Sequence, residues 1–434
     1  MNAKIISVIL FFSISIGCYI HLAWFCDREN FGELIVVYGT CFFVYLIQLF
    51  YFGISFYQLL LAGLFFRLIF IFSIPTLSDD YNRFIWDARQ MAEGTNPYEQ
   101  KPTEAGVDNA PEFYLMKELN SPNYYSVYPP LQQVFFLPSG LTDKLGASVI
   151  LLHFIILIGE ILLFIFLIKS LQSQFISLVS VSWIWLNPLW IIEVNGNLHF
   201  EGWMMTFIAI GIYYLFKQKF WIASVFMGLS ASLKIIPIIV LPAVKKWLGF
   251  NKAFFISLLA GIVFVISISW IFISAQQDHF FESIDLYYHK FEFNASFYFL
   301  LREIGFYFGD THPIVYSGYI LMPIFAFIYC FIIFRNDNST PKHFFSSTAF
   351  ILFSYYLLST TVHPWYILTI LFFSVLAGKW YGIVWSGLVF LSYSAYSNNE
   401  NLYYSMITIE YFLLFVFMYL EFRTNKIKTL PVIE

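Results

Sequence analysis

Asp79 and Asp80 stand side by side just after an apolar run ends, and Arg83, Asp87 and Arg89 follow at helical spacings around Trp86. Adjacent carboxylates at a water interface suit general-base work: one is held ionised by a cation while it takes a proton from a hydroxyl. On a helix starting near Ser78 the two acids project about 100° apart, so only one faces any groove. Asp80 and Arg83 are three apart and are expected to pair along one face. That leaves Asp79 as the expected base, with Asp80 as the second choice. The bland alternative is a juxtamembrane amphipathic helix laced with ion pairs. Gly94-Thr95-Asn96-Pro97-Tyr98 is the turn that stops it.

Other chemistry-bearing residues interrupt apolar surroundings. Arg67 lies inside an apolar window about three turns before Asp79, and an ionisable group there costs roughly 2.5 to 3.5 kcal/mol unless it meets a partner or a cavity. Lys234 precedes Pro237, where a helix break lets it reach an interface. Glu160 and Glu410 also lie in apolar windows and are expected to be paired structurally. His363, beside Pro364 and Trp365, suits either a structural role or contact with a phosphate or a sugar face. Tyr124, Tyr125 and Tyr128 fit an interfacial aromatic belt or a sugar-stacking surface.

These residues must be positioned by membrane helices. Of 434 residues, 59% are hydrophobic and 12% charged, and the mean hydropathy is +0.72; a soluble domain could not bury that much apolar side chain. Windows near 20 residues recur at Ile5–Phe25, Leu34–Phe52, Phe56–Pro75, Gly146–Leu167, Phe175–Ile192, Ala253–Ala275, Ile314–Phe334 and Leu402–Leu420. Gly202–Phe216, Phe220–Val244, Phe344–Gly378 and Tyr381–Tyr396 are shorter or interrupted. The fold class is therefore an all-α polytopic membrane protein of roughly 11 to 14 transmembrane helices. Residues 1–75 form N-terminal membrane helices, 76–145 an extracytoplasmic loop with the acidic motif, and 146–434 a membrane bundle with further outer loops.

Lys4, Lys169, Lys217, Lys219, Lys245, Lys246, Lys252, Arg335, Lys342, Lys379, Arg423, Lys426 and Lys428 fall on one side if the N-terminus is inside. Loops that keep cations stay cytoplasmic. Both termini are thus expected in the cytoplasm of a multi-pass inner (cell) membrane protein, with the acidic loop outside. Cys18, Cys26, Cys41 and Cys330 form no CxxC pair and are expected as core residues. No GxGxxG or GxxxxGK[ST] signature is present, which argues against a nucleotide-sugar donor. Asp79-Asp80 alone does not make a metal site, which needs several convergent oxygens; no cofactor or nucleic-acid partner is expected, and a divalent cation is left open but not indicated.

Ser78-Asp-Asp-Tyr-Asn-Arg-Phe-Ile-Trp-Asp-Ala-Arg89, with Gly94-x-Asn-Pro-Tyr98 and Tyr128-Pro-Pro130, resembles the first outer loop of bacterial mannosyltransferase-like members of the GT-C glycosyltransferase superfamily. The resemblance continues through Asn187-Pro188, Glu193-x-x-Gly-Asn-x-His-x-Glu201, Lys234-x-x-Pro237, Asn294-x-Ser296 before Arg302, and His363-Pro-Trp-Tyr366. Ala88 stands where a glycine is usual, and His199-x-Glu201 where His-x-Asp is commoner. The resemblance implies a GT-C-like bundle whose extracytoplasmic loops form a cap over a groove. It implies a donor with one hexose, mannose, on a polyprenyl phosphate embedded in the bilayer, and an envelope glycan, lipid or protein acceptor. The transfer would be inverting, with catalytic Asp79 and Asp80. Substrate contacts would fall to Arg83, Trp86, Asp87, Arg89, Asn96, Tyr128, Glu201, Lys234, Arg302 and His363. Arg83, Arg89, Arg302 and His363 would meet the donor phosphate, with Lys234 a further candidate. The rival reading is a transporter or flippase running through Arg67, Lys234, Glu160 and Glu410, although no internal repeat of the kind such carriers show is visible.

Overall fold

In the computed structural model the described residues are 3–51, 55–104, 119–172, 179–274, 276–289, 291–309, 313–335 and 340–423. Lys426 and Lys428 lie outside them. The principal helices are α1 (Ala3–Trp24), α2 (Phe31–Tyr51), α3 (Phe56–Leu68), α4 (Asp80–Ala92), α5 (Leu145–Gln172), α6 (Glu201–Phe216), α7 (Phe220–Leu233), α8 (Phe250–Ile273), α9 (Pro313–Phe334), α10 (Pro341–Leu357), α11 (Ile367–Leu376) and α12 (Glu400–Arg423). Among the described residues six helices are long and apolar enough to cross a membrane, and four shorter apolar ones accompany them. The protein is an all-α polytopic membrane protein.

Several apolar windows are not single helices, which is why fewer full-length helices appear than windows. Phe175–Ile192 bends at Asn187, whose side chain caps the Pro188–Trp190 turn, and runs into a π-helix over Ile191–Gly196. Phe220–Val244 breaks at Lys234, where the backbone is extended (φ −153°, ψ 135°), before Pro237 starts a short helix. Phe344–Gly378 is interrupted between Leu357 and Pro364, and Tyr381–Tyr396 finishes as a 3-10 helix, Val389–Ser397. Backbone this irregular is tolerated at membrane depth only where protein surrounds it or it lines a polar cavity. The breaks fall at the residues that build the site.

Consecutive helices α5, α6, α7 and α8 pack side by side, while Tyr319, Phe327, Phe331 and Phe334 of α9 point outward, as a lipid-facing surface requires. Between α3 and α5, Arg67 meets Glu160 with Nη2–Oε2 at 2.8 Å, both side chains fully buried. Arg67 also donates to the Gly63 and Trp185 carbonyls and lies 3.6 Å over the Trp185 ring. Trp190 Nε1 donates to Glu160. Glu410 accepts from Trp385 Nε1 and Asn294 Nδ2. These three ionisable groups are fixed by structural partners, as expected at that depth.

The acidic-loop helix is α4, and Gly94 at φ +84° terminates it two residues past Ala92. It is no surface helix: every residue from Tyr81 to Arg89 is buried. Gly140 crosses it so closely that a Cβ there would stand 2.3 Å from the Ala88 carbonyl carbon.

Candidate active site

Where helices end or break, polar residues from seven separate stretches converge. Asp79 caps the start of α4 without a side-chain cap bond, and its carboxylate instead meets Arg28 Nη2 at 2.5 Å. Arg28 comes from the turn between α1 and α2, and its guanidinium sits 4.7 Å from the Tyr396 ring centre. Asp80 Oδ1 accepts from Asn120 Nδ2 at 2.7 Å and lies within electrostatic reach of Lys234, Glu201 and Asp79. Burial pushes its carboxyl above the ordinary range, opposed by Asn120 and Lys234.

Lys234, freed by the end of α7, donates to Glu201 at the first position of α6 and lies 4.7 Å from the Tyr366 ring centre. About a third of its side chain is exposed, with the ammonium engaged by Glu201. The aromatic wall beside it is a three-ring stack. Trp365 lies between His199, at 3.8 Å, and His363, at 4.3 Å and nearly parallel. Burial, with Lys234 close by, holds His363 down at about 3 and His199 well below its usual range. Both rings are therefore neutral near pH 7, and His363 Nδ1 is buried without a partner. His199 Nε2 is 3.4 Å from Glu193 Oε2 but misaligned for a hydrogen bond. Glu193 accepts from Asn197 Nδ2 at 3.0 Å and Tyr393 OH at 2.9 Å. Between Asn197 and His199, Leu198 has φ +62°, a strained conformation for a branched-chain residue that persists only where its surroundings impose it. Among the described residues no group of three or more His, Cys, Asp or Glu converges to hold a metal ion.

Of the residues singled out from sequence, Asp79, Asp80, Glu201, Lys234 and His363 gather here. The others do not. Arg83 does not pair with Asp80: its Nε donates to Asp87 at 2.7 Å and its Nη1 to the Ser121 and Tyr124 carbonyls. The i to i+4 carboxylate wins because Asp87 is buried and also receives Ser126 Oγ and Gln133 Nε2, an enclosed set that strengthens every charge-assisted bond. Arg89 donates to the Thr142 and Asp143 carbonyls, and Trp86 is buried in the core. Asn96 Oδ1 accepts from the Tyr98 amide, while Tyr98 OH donates to the Tyr128 carbonyl. All six hold the loop's own fold. Arg302 is engaged elsewhere, by Glu292 at 2.7 Å, Glu303 at 2.9 Å and Tyr404.

The model of the family described as alpha-(1->6)-mannopyranosyltransferase, N-terminal domain, matches residues 33–249, half of the chain. This chain belongs to that mannopyranosyltransferase family. Alpha-(1->6)-mannopyranosyltransferase A of Corynebacterium glutamicum is 23% identical over 184 residues, 42% of this chain and 36% of that protein, so the match spans about a third of the relative. The family segment carries Asp79, Asp80, Asn120, Glu193, His199, Glu201 and Lys234. Arg28, His363, Trp365, Tyr393 and Tyr396 come from outside it, and the site is assembled from both. Sequence reasoning passed over Arg28, Asn120, Tyr393 and Tyr396, and met Glu193 only as the first residue of a motif, with no role given to it. For Arg28 a signal existed: Asp27-Arg28-Glu29-Asn30 is a polar quartet between two membrane windows.

Proposed function

We propose that this chain is an integral membrane glycosyltransferase of GT-C type that moves mannose, with inversion, from a polyprenyl-phosphate donor to an envelope glycan, lipid or protein acceptor. The observation that carries it is a mannopyranosyltransferase family match whose segment delivers carboxylates and a lysine to one polar cluster at the helix ends. A donor whose lipid tail lies in the bilayer presents its sugar phosphate at that height.

In the proposed reaction an acceptor hydroxyl oxygen attacks the anomeric carbon. The bond from that carbon to the phosphate oxygen breaks, and polyprenyl phosphate leaves with the electron pair. The hydroxyl proton passes to a carboxylate. Asp80 is the better base: Asp79 is tied to Arg28, whereas Asp80 carries one neutral hydrogen-bond donor and a raised proton affinity. The argument that favoured Asp79 assumed an Arg83 contact that goes to Asp87 instead. Lys234 is poised to meet the departing phosphate, exchanging Glu201 for an anion whose charge grows in the transition state. His363 and His199, held neutral, offer N–H donors or a ring face and not a charge. In this reading the cluster faces the outside and both termini lie in the cytoplasm, which the cation-bearing turns around Lys246 and Arg335 support: Lys246 donates to the Arg335 carbonyl at 2.5 Å.

Protein reconstituted in liposomes with labelled polyprenyl-phosphate mannose and candidate acceptors tests this. Transfer of label to an acceptor supports the reading; movement of unaltered lipid-linked sugar without transfer would replace it with a flippase.

A further inference from the structure

Arg28 stands outside the family segment, yet it makes the closest charged contact to the acidic pair. From the turn between α1 and α2 it reaches Asp79 of the acidic loop and lies over Tyr396 of the Val389–Ser397 helix. Three stretches far apart in the chain thus meet on one guanidinium. Asp79 makes this contact and no side-chain bond to the start of α4.

We propose that Arg28 is a positioning residue that neutralises Asp79, so that Asp80 beside it is the carboxylate left to accept the acceptor's proton. The proposal rests on the transferase reading above and on Asp80 as its base. Two neighbouring carboxylates in one cluster cannot both ionise freely. The charged and titratable groups around Asp80 are Asp79, Lys234, Glu201, Glu193 and Tyr396. Three of them are carboxylates and Lys234 is already committed to Glu201, so the cation that offsets Asp79 decides how much negative charge Asp80 feels. The ion pair keeps 25% and 36% of its side chains exposed, which limits the effect to about one pH unit, the low end for a neighbouring charge.

The test is the acidic limb of the kcat/KM profile, measured on the purified protein in liposomes with labelled polyprenyl-phosphate mannose. Arg28→Gln should move that limb upward by about one pH unit, with about tenfold lower rates below it. Arg28→Lys should keep the limb near its original position. In the double variant Arg28→Gln/Asp79→Asn no second charge remains to be offset, so the limb should return towards the parent value. A purely structural tether between loops would lower the rate without moving the limb and would not be rescued by Asp79→Asn. An unmoved limb in Arg28→Gln, or a double variant as shifted as the single, overturns the proposal. Should Arg28→Gln fail to fold, Asp79→Asn alone must move the limb downward, and an unchanged limb there overturns it equally. Asp80→Asn run alongside separates the two levels: full activity in that variant removes the base assignment itself, whatever Arg28 does.

Discussion

Replacing Asp80 by Asn removes the proposed proton acceptor while preserving its shape. The 2.7 Å bond from Asn120 can persist to the amide oxygen, so the folding cost is that of exchanging a charge-assisted bond for a neutral one, about 1 kcal/mol. Loss of a general base costs about 10² to 10⁴ in rate, or roughly 3 to 5 kcal/mol of activation free energy. Asp79→Asn instead breaks a partly exposed ion pair with Arg28, an interaction worth about 1 kcal/mol or less, so its rate loss should stay within about tenfold. The gap between the two variants is the measurement: initial rates of mannose transfer from labelled donor in proteoliposomes, with donor binding measured separately and unchanged in both. The pH dependence carries a sign. A base works only when ionised, and burial raises the Asp80 carboxyl, so activity should be lost as pH falls through a value above the ordinary aspartate range near about 3.9. No limb from His363 is expected between about pH 5.5 and 7.5, since that ring is held neutral down to about 3. An inactive Asp79→Asn with a normal Asp80→Asn reverses the roles; activity in both refutes carboxylate catalysis.

Lys234→Met should weaken donor affinity and lower turnover together, by about 10² to 10³ in kcat/KM, whereas Arg302→Gln, already engaged by Glu292 and Glu303, should leave donor affinity near normal; steady-state kinetics at limiting donor compares them. Arg67→Met strands Glu160 in a fully buried site and should cost about 3 to 5 kcal/mol, with much of it recovered in Arg67→Met/Glu160→Gln, read from thermal unfolding in detergent. A cysteine at Glu104 should react with an impermeant reagent from outside intact cells and one at Lys217 should not; the opposite pattern would place the cluster on the cytoplasmic face.

The class of the molecule and the neighbourhood of its chemistry were legible along the chain. Hydropathy at spanning length is a one-dimensional signal because each membrane helix satisfies its own backbone, and the breaks at Lys234 and before Pro364 were marked by proline. The expectations that Glu160 and Glu410 are structurally paired and that Arg67 meets a partner or a cavity also needed only the cost of a charge at that depth. What spacing could not decide was which cation serves which acid. Asp80 and Arg83 are neighbours on a helix, and a local rule pairs them for a few tenths of a kcal/mol. The tertiary structure offers Arg83 a buried Asp87 held by Ser126 and Gln133, and offers Asp79 an arginine 51 positions away. The His199, Trp365 and His363 stack likewise brings a broken membrane segment against a loop 166 residues later. Local pairing energies are small beside the bonds an enclosed site can supply, so the sequence by itself determined where charge enters the membrane boundary, and only the packing of the helix ends decided how that charge is divided.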